Sequence, residues 1–152
     1  MSNKNFVKSH HTGKRYHTPA ANCQSKMLIY VAECLICEKQ YTGKTTCKLQ
    51  TRISGHRSHI NKTTKTILLD TDEAALCEHL KTHHQPATYT ELFNINYSFT
   101  VVQINPPDLE KCEQLWVSRL VTMEPFGLNI EKPQGVADSI ITMSQKASFQ
   151  RR

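Results

Sequence analysis

Arg52, His56 and His59 are spaced so that a helix would place all three side chains on one flank. An arginine can bind a phosphate group through two parallel hydrogen bonds, and a histidine can donate, accept or transfer a proton near neutral pH. Together these side chains suit a site that binds and cleaves a phosphodiester. A solvated basic helix face has the same spacing, and on spacing alone it is the more common case.

A carboxylate falls on the apolar side of another predicted helix. The apolar stripe of this helix is formed by Leu109, Cys112, Trp116, Val117 and Leu120. Glu113 lies near the middle of the stripe, where an unpaired charge would cost several kcal/mol. The sequence therefore predicts a partner for Glu113, either a divalent metal ion or an arginine. A structural Glu–Arg pair, or a glutamate at a shallow edge of the stripe, is the more frequent case.

Two tyrosines lie on segments that predict a pair of strands, the first of them an apolar run. Tyr30 falls in the run 27–32, and Tyr41 falls in the run 40–43, directly before Lys44. The short connection between the runs predicts an antiparallel hairpin. A tyrosine on a strand is most often a packing residue, and that is the alternative at both positions.

Cys34 and Cys37 lie in the turn of this predicted hairpin. The chain has six cysteines, and its first residues lack the apolar segment of a secretory signal. A reducing compartment is therefore expected, where disulfides are rare. The Cys-x2-Cys pair is predicted to be a pair of metal ligands or two buried thiols.

The composition predicts one domain with polar ends. Among the 152 residues we distinguish a basic irregular segment (1–22), a folded domain (23–131) and a polar tail (132–152). The net charge of +6 favours a polyanionic partner, most commonly nucleic acid. The basic segment is expected to be a solvated tail rather than a DNA-binding arm. No apolar run is long enough to predict a membrane span.

The elements that must position these side chains follow from periodicity and capping residues. After the hairpin, the sequence predicts a helix from Thr45 or Thr46 to about residue 61, a helix over 72–82, a strand over 99–104 and a helix over 109–121.

The two strand motifs resemble the signatures that name the GIY-YIG endonucleases. Leu28-Ile29-Tyr30 is followed, after ten residues, by Tyr41-Thr42-Gly43. Further matching elements come in the family's order: Lys44-Thr45, Arg52-x3-His56, Glu113, and Asn129 within Gly127-Leu128-Asn129. The resemblance covers about residues 22–130. It departs from the family's pattern at Leu28, in place of glycine, and at Thr42, in place of isoleucine, and neither position supplies chemistry.

Three other motifs resemble the Penelope-like retroelement branch of that family. They are Asn22-Cys23-Gln24-Ser25-Lys26, Cys34-x2-Cys37 and Glu124-Pro125-Phe126-Gly127-Leu128-Asn129. That branch carries an inserted Cys-Cys-His-His motif of the zinc type. The resemblance implies a structural Zn²⁺ held by Cys34, Cys37, His79 and His84, with His83 as the alternative fourth ligand. Two thiolates and two imidazoles form the closed tetrahedral set of such a site.

The resemblance also implies the architecture. It is an α/β fold of the α+β kind, with a small three-stranded antiparallel sheet flanked by helices. The active site would lie on the sheet face bordered by the first helix. The zinc site would tie the hairpin turn to the helix near residue 79.

The activity implied by the resemblance is metal-dependent cleavage of DNA, with Mg²⁺ or Mn²⁺ bound by Glu113. Arg52 would bind the scissile phosphate. Tyr30 would be the general base and Tyr41 would position the water or the phosphate, although the two tyrosines could exchange these roles.

Three more residues are implied to support this chemistry. Lys44 would add positive charge that favours a phenolate, since a free tyrosine has a pKa of about 10. His56 would orient Tyr30 or assist proton transfer, and Asn129 would form a hydrogen bond near the site.

The implied partners are DNA, RNA and a reverse transcriptase domain of the same element, with no membrane. Nicking DNA for insertion of a eukaryotic element would place the protein in the nucleus. One alternative is a catalytically inactive, zinc-stabilised module that binds nucleic acid. Another is an interaction protein that uses its basic surface, which leaves Glu113 on an apolar stripe without explanation.

Overall fold

A three-stranded antiparallel sheet forms the centre of the fold in the computed structural model, which describes residues 5–58, 75–79 and 97–130. The described elements are β1 (Phe6–Lys8), β2 (Arg15–His17), β3 (Leu28–Cys34), β4 (Gln40–Thr45), α1 (Leu49–Ser58), α2 (Ala75–His79), β5 (Tyr97–Ile104) and α3 (Leu109–Leu120). The order in the sheet is β4-β3-β5, so β3 is central. The α+β class and the three-stranded antiparallel sheet are thereby confirmed.

The central strand is buried on both faces because it carries apolar side chains at consecutive positions. Leu28, Tyr30 and Ala32 point to a first face, which packs with Leu49 of α1 and Leu76 of α2. This face is thus covered by α1 and α2, the two helices that follow β4 in the chain.

The opposite, second face of the sheet is covered by α3. Ile29 and Val31 point to this face and pack with Trp116 and Leu120, and Val7 from β1 joins the same cluster. The helix α3 begins at Asp108, whose side chain accepts a hydrogen bond from the backbone N–H of Lys111. Its predicted bounds, 109–121, differ from the structure by one residue.

The segment predicted to be irregular contains a β-hairpin instead. Strands β1 and β2 pair antiparallel, and Val7 and Ser9 are buried. The Ser9 hydroxyl donates a hydrogen bond to the carbonyl of Leu120 (2.8 Å). Strands of three residues are too short to show a period of two, and an isolated hairpin is marginal at best, so contacts with α3 stabilise this one.

Two boundaries on the way to α1 also differ from prediction. Strand β4 continues to Thr45 rather than stopping at Gly43, which places Lys44 inside the strand. The helix begins at Leu49, because the Thr45 hydroxyl accepts from the backbone N–H of Cys47 (3.0 Å) and forms a local turn instead of a cap.

The remaining differences are small. Strand β5 begins at Tyr97, two residues before its predicted start, and α2 lies within the predicted 72–82. The predicted helix ends near residues 61, 72 and 82 and the polar tail 132–152 lie outside the described residues. In the part of the chain that the structure describes, none of the helices has the length and apolar content needed to cross a bilayer.

Candidate functional site

The Tyr30 hydroxyl is the hub of a buried hydrogen-bonded group on the first face. Tyr30 is fully buried, and its Oη lies 2.6 Å from Nε2 of His56. The Nε–H of Arg52 donates to the same oxygen at 3.2 Å. The structure therefore brings together the strand tyrosine and the Arg52 and His56 pair that the sequence predicted on one helix flank. His59, the third member of that flank, lies outside the described residues.

Tyr41 is the second tyrosine of this group. Its hydroxyl forms a hydrogen bond with Tyr30, and its ring packs edge-on against His56 with centroids 5.3 Å apart. Tyr41 is buried and lies opposite Ala32 on β3, on the same face as Tyr30. It thus packs against Tyr30 and His56 and supplies a hydrogen bond to the hub.

The hydroxyl of Tyr30 is held in its neutral form. Burial raises the pKa of Tyr30 to about 12, although the charge of Arg52 and the hydrogen bonds from Arg52 and Tyr41 lower it in part. The carboxylate of Glu113 raises it further. The charge and hydrogen bond of Arg52 do not by themselves offset the effect of burial on the pKa of Tyr30.

The short contact between Tyr30 and His56 can carry a proton. The Nε–H of Arg52 donates to the Tyr30 oxygen, and the hydrogen between that oxygen and Nε2 of His56 lies on one atom or the other according to the tautomer of the imidazole. In the tautomer with its hydrogen on Nδ1, the imidazole accepts from the phenol at Nε2. A short O–H···N bond between a phenol and an imidazole is a path for a proton.

Glu113 is buried on α3, as its place on the apolar stripe predicted, and it forms an ion pair with a lysine. The Nζ of Lys44 lies 2.9 Å from Oε1 of Glu113, whose side chain is 12% exposed. Glu110, one turn earlier on α3, lies 3.4 Å from the same Nζ. Burial lowers the pKa of Lys44, but the hydrogen bond and charge of Glu113 and the charge of Glu110 outweigh it, so the net pKa is raised.

The role of Glu110 was missed from sequence. Its signal was the spacing of three residues to Glu113, which places both carboxylates on one flank of α3. Glu110 is exposed, so it adds negative charge at the rim of the site rather than inside it.

The two halves of the site come from opposite faces of the sheet and meet at the edge strand β4. Tyr30 pairs with Gly43 and points to the first face, whereas the next residue, Lys44, points to the second. A Cβ at Gly43 would overlap the Tyr30 hydroxyl, so only glycine fits here. Glu113 is near enough to raise the pKa of Tyr30. Because Gly43 has no side chain, the Tyr30 hydroxyl can lie against β4 from the first face. Lys44 and Glu113 lie against the same strand from the second face.

Asn129 positions strand β4. Its Oδ1 accepts from the backbone N–H of Thr42 (2.8 Å) and from the hydroxyl of Thr122 (2.6 Å), and its Nδ2 donates to the Thr42 carbonyl (2.9 Å). These bonds satisfy the outer edge of β4 one residue before Gly43. Asn129 therefore fixes the strand that carries the site.

A separate group of metal-ligand side chains lies at the hairpin turn. Cys34, Cys37 and His79 place one ligand atom each within 4.8 Å of one another. The Sγ of Cys37 lies 3.3 Å from Nε2 of His79, which links the turn to α2 as expected. Burial raises the pKa of the Cys34 thiol. The group could hold a metal ion, and its donors are compatible with zinc. His84 and its alternative His83 lie outside the described residues.

A catalytic Mg²⁺ receives less support from the structure. Among the described residues, the group formed by Cys34, Cys37 and His79 is the only one with three or more close metal ligands. Glu113 is a carboxylate held by Lys44, so the structure shows an ion pair at this position.

Comparison of the chain with protein-family models, with curated proteins and with solved structures returned no match. The arguments for function therefore come from the geometry of the site and from the motifs in the sequence.

Proposed function

We propose that the protein is a metal-dependent DNA endonuclease of the GIY-YIG type, with its active site at the edge of strand β4. The observation that carries this proposal is the Tyr30 hydroxyl bonded to both Arg52 and His56, beside the Lys44–Glu113 pair. A phenol, a guanidinium, an imidazole and a carboxylate at one sheet edge are a set that phosphodiester hydrolysis can use, and they are a costly set to bury for packing alone.

Arg52 is assigned to the scissile phosphate. A guanidinium has five N–H donors, and the Nε–H is directed at Tyr30. The terminal nitrogens are assigned to a non-bridging phosphate oxygen, where charge develops in the transition state. One side chain would then hold both the phosphate and the phenol in fixed relation to each other.

Tyr30 and His56 are assigned to the proton of the attacking water. Because the pKa of Tyr30 is raised to about 12, the phenol cannot act as a pre-formed phenolate at neutral pH. Instead, with His56 carrying its hydrogen on Nδ1, the Tyr30 oxygen releases the hydrogen bond with Tyr41 and takes the proton of the water, while its own proton moves to Nε2 of His56, at 2.6 Å. His56 is then the final acceptor, and Arg52 keeps the phenol oriented.

Glu113 is the proposed protein ligand of a catalytic Mg²⁺ or Mn²⁺. One carboxylate is a sufficient protein ligand for Mg²⁺, since water and substrate phosphate complete its coordination. Such an ion would neutralise charge on the phosphate. Lys44 holds one oxygen of the carboxylate, so metal binding would compete with this ion pair or share the carboxylate with it.

A structural zinc is proposed at the hairpin turn, with Cys34, Cys37 and His79 as three of its ligands and His84, or His83, as the fourth. Bound zinc would deprotonate the thiols and replace the weak Cys37–His79 contact by coordination bonds. The biological setting is also proposed: a nuclear protein of a Penelope-like retroelement that nicks DNA for insertion, together with RNA and a reverse transcriptase domain.

The direct test is nicking of supercoiled plasmid DNA in the presence of Mg²⁺ by the wild-type protein and by Glu113→Ala. We expect the wild type to convert the plasmid to the open circle and Glu113→Ala to lose this activity. Glu110→Ala is the matched control, because it removes a carboxylate from the same helix and leaves Glu113 in place. Equal nicking by the wild type and Glu113→Ala would exclude the proposed enzyme.

The second candidate is an inactive, zinc-stabilised module that binds nucleic acid. The Lys44–Glu113 ion pair favours it, because a lysine can take the place that a metal ion would have. DNA binding by the wild type with no nicking under Mg²⁺ or Mn²⁺ would select this candidate.

A further inference from the structure

The β1–β2 hairpin carries a basic outer face that the proposed active site does not use. We propose that this face, formed by Lys8 and Arg15 with the exposed Lys14 beside them in the chain, binds the phosphodiester backbone of duplex DNA. The inference rests on the proposed function and extends it, because it assigns a second contact with the same substrate on a separate element of the fold.

The register of the hairpin places like charges opposite each other. Lys8 pairs directly with Arg15, and both side chains are exposed. Paired positions of antiparallel strands share a face, and two like charges directly opposite each other destabilise the pair. An anion bound between them would remove that repulsion. The hairpin is therefore expected to be more stable when a polyanion is bound to it.

The positive charge of this face is not balanced by its own segment. Residues 5–32 contain no aspartate or glutamate, whereas they contain four lysines and arginines. Within residues 5–58, 75–79 and 97–130, neither Lys8, Lys14 nor Arg15 forms an ion pair. A surface that only keeps a protein soluble mixes both signs of charge. A single-sign face instead matches the regular negative charge of a nucleic acid backbone.

Two cations of the hairpin, Arg15 and Lys14, lie against aromatic rings. The guanidinium of Arg15 lies over the ring of Phe6, 4.5 Å from its centroid, and Nζ of Lys14 lies 5.6 Å from that of Tyr16. Stacking uses the flat face of a guanidinium and leaves the N–H groups in its plane available for phosphate oxygens. Ordering these side chains in advance lowers the entropy lost on binding.

The hairpin is fixed to the body of the domain, so it is not a loose tail. Tyr16 packs edge-on against Trp116 of α3, with ring centroids 5.4 Å apart. Gln40, a buried residue of β4, donates to the Lys8 carbonyl (2.8 Å) and accepts from the N–H of His10 (2.9 Å). These bonds join the basic face to the strand that also carries Tyr41 and Lys44. DNA held by the hairpin is therefore held in fixed relation to the proposed active site.

Duplex DNA fits this face better than a membrane does. Its half-buried aromatic, Phe6, is covered by Arg15, so the face offers positive charge without an apolar group that would insert among lipids. The contacts are predicted to be with phosphates, and hence independent of base sequence.

The test is the salt dependence of binding to a short duplex of arbitrary sequence, without added Mg²⁺, for the wild type and Lys8→Ala/Arg15→Ala. Two lost phosphate contacts should lower the slope of log K against log salt by about 1.8. Lys8→Arg/Arg15→Lys keeps both charges and should keep the slope. Lys26→Ala/Lys111→Ala is the matched control, because it removes two exposed cations outside the hairpin, and it should keep nearly the wild-type slope.

The outcomes separate this inference from the proposed function. Equal loss of slope in both alanine pairs would show that net charge alone acts, and would overturn the hairpin site. Tighter binding of single-stranded RNA or of anionic vesicles than of duplex DNA would also overturn it. If the wild type nicks plasmid and Lys8→Ala/Arg15→Ala binds duplex with the wild-type slope, the proposed endonuclease is supported and the hairpin site is excluded. If the wild type binds no duplex, both proposals are excluded.

Discussion

The Tyr30 hydroxyl lies 2.6 Å from Nε2 of His56, and the Nε–H of Arg52 donates a hydrogen bond to the same hydroxyl. Tyr30 comes from the central strand and His56 from the helix after the hairpin, 26 residues later. This bond converts a buried tyrosine that would otherwise be a packing residue into one with a proton path.

Tyr30→Phe removes the hydroxyl and keeps the ring in the core. We expect plasmid nicking to fall by about 10²–10⁴-fold, because general acid–base groups contribute on that scale. His56→Gln should reduce nicking in the same direction, since it removes the proton acceptor and keeps a polar side chain. Initial rates at saturating Mg²⁺ measure both effects. Nearly wild-type rates in both variants, with intact folding, would remove Tyr30 and His56 from the mechanism.

The raised pKa of Tyr30 predicts a loss of stability in alkali. The folded-state pKa is about 12, against 10.0 for an unperturbed tyrosine, so the unfolded chain ionises first. The contribution is complete below pH 10 and is lost as the pH rises towards 12, by up to about 3 kcal/mol. Denaturant unfolding of the wild type and Tyr30→Phe between pH 9 and about 11 measures it. Parallel pH profiles for the two proteins would contradict the assignment.

Gly43→Ala should damage the fold and the site together. The new Cβ would overlap the Tyr30 hydroxyl and ring carbon, so strand or ring must move, at a cost of about 1–3 kcal/mol. Gly55→Ala is the matched control, because a Cβ at Gly55 in α1 meets no atom within 4 Å. That substitution should leave stability unchanged or raise it by about 0.5–1 kcal/mol. Thermal unfolding and nicking assays distinguish the two glycines.

Lys44→Met removes the partner of the buried Glu113. We expect a loss of about 2 kcal/mol or more of unfolding free energy, because the buried carboxylate of Glu113 loses the cation that lies 2.9 Å from it. The double variant Lys44→Met/Glu113→Leu should recover most of this loss, since it removes both charges. Denaturant unfolding measures all three proteins. If Lys44→Met is as stable as the wild type, the ion pair is not a significant part of the fold.

Zinc removal should destabilise the hairpin turn. Purified protein is expected to contain about one zinc ion per chain, because a structural zinc site binds a single ion. Cys37→Ser should lose the metal and unfold at a lower temperature, whereas Cys47→Ser should retain it, because Cys47 is exposed outside the group. Metal analysis and thermal unfolding with and without a chelator test this. Protein without zinc, or a melting temperature indifferent to the chelator, would contradict the site.

The sequence by itself determined the elements that are long and strongly patterned. The apolar run around Tyr30 predicted a strand, and the stripe on α3 predicted its bounds within one residue and the burial of Glu113. The proximity of Cys34 and Cys37 to α2 was likewise expected, through the resemblance to a zinc-containing branch. Such features can be predicted because periodicity and short spacing are properties of a single segment of the chain.

Only the tertiary structure decided which partners these side chains meet. It placed Lys44 2.9 Å from Glu113, and it folded the basic segment around Val7 into a hairpin that packs on α3. It also set the pKa of Tyr30, because the desolvation of a phenol depends on every element that covers it. Pairing and burial arise between residues far apart in the chain, and no local pattern of three or four residues specifies them.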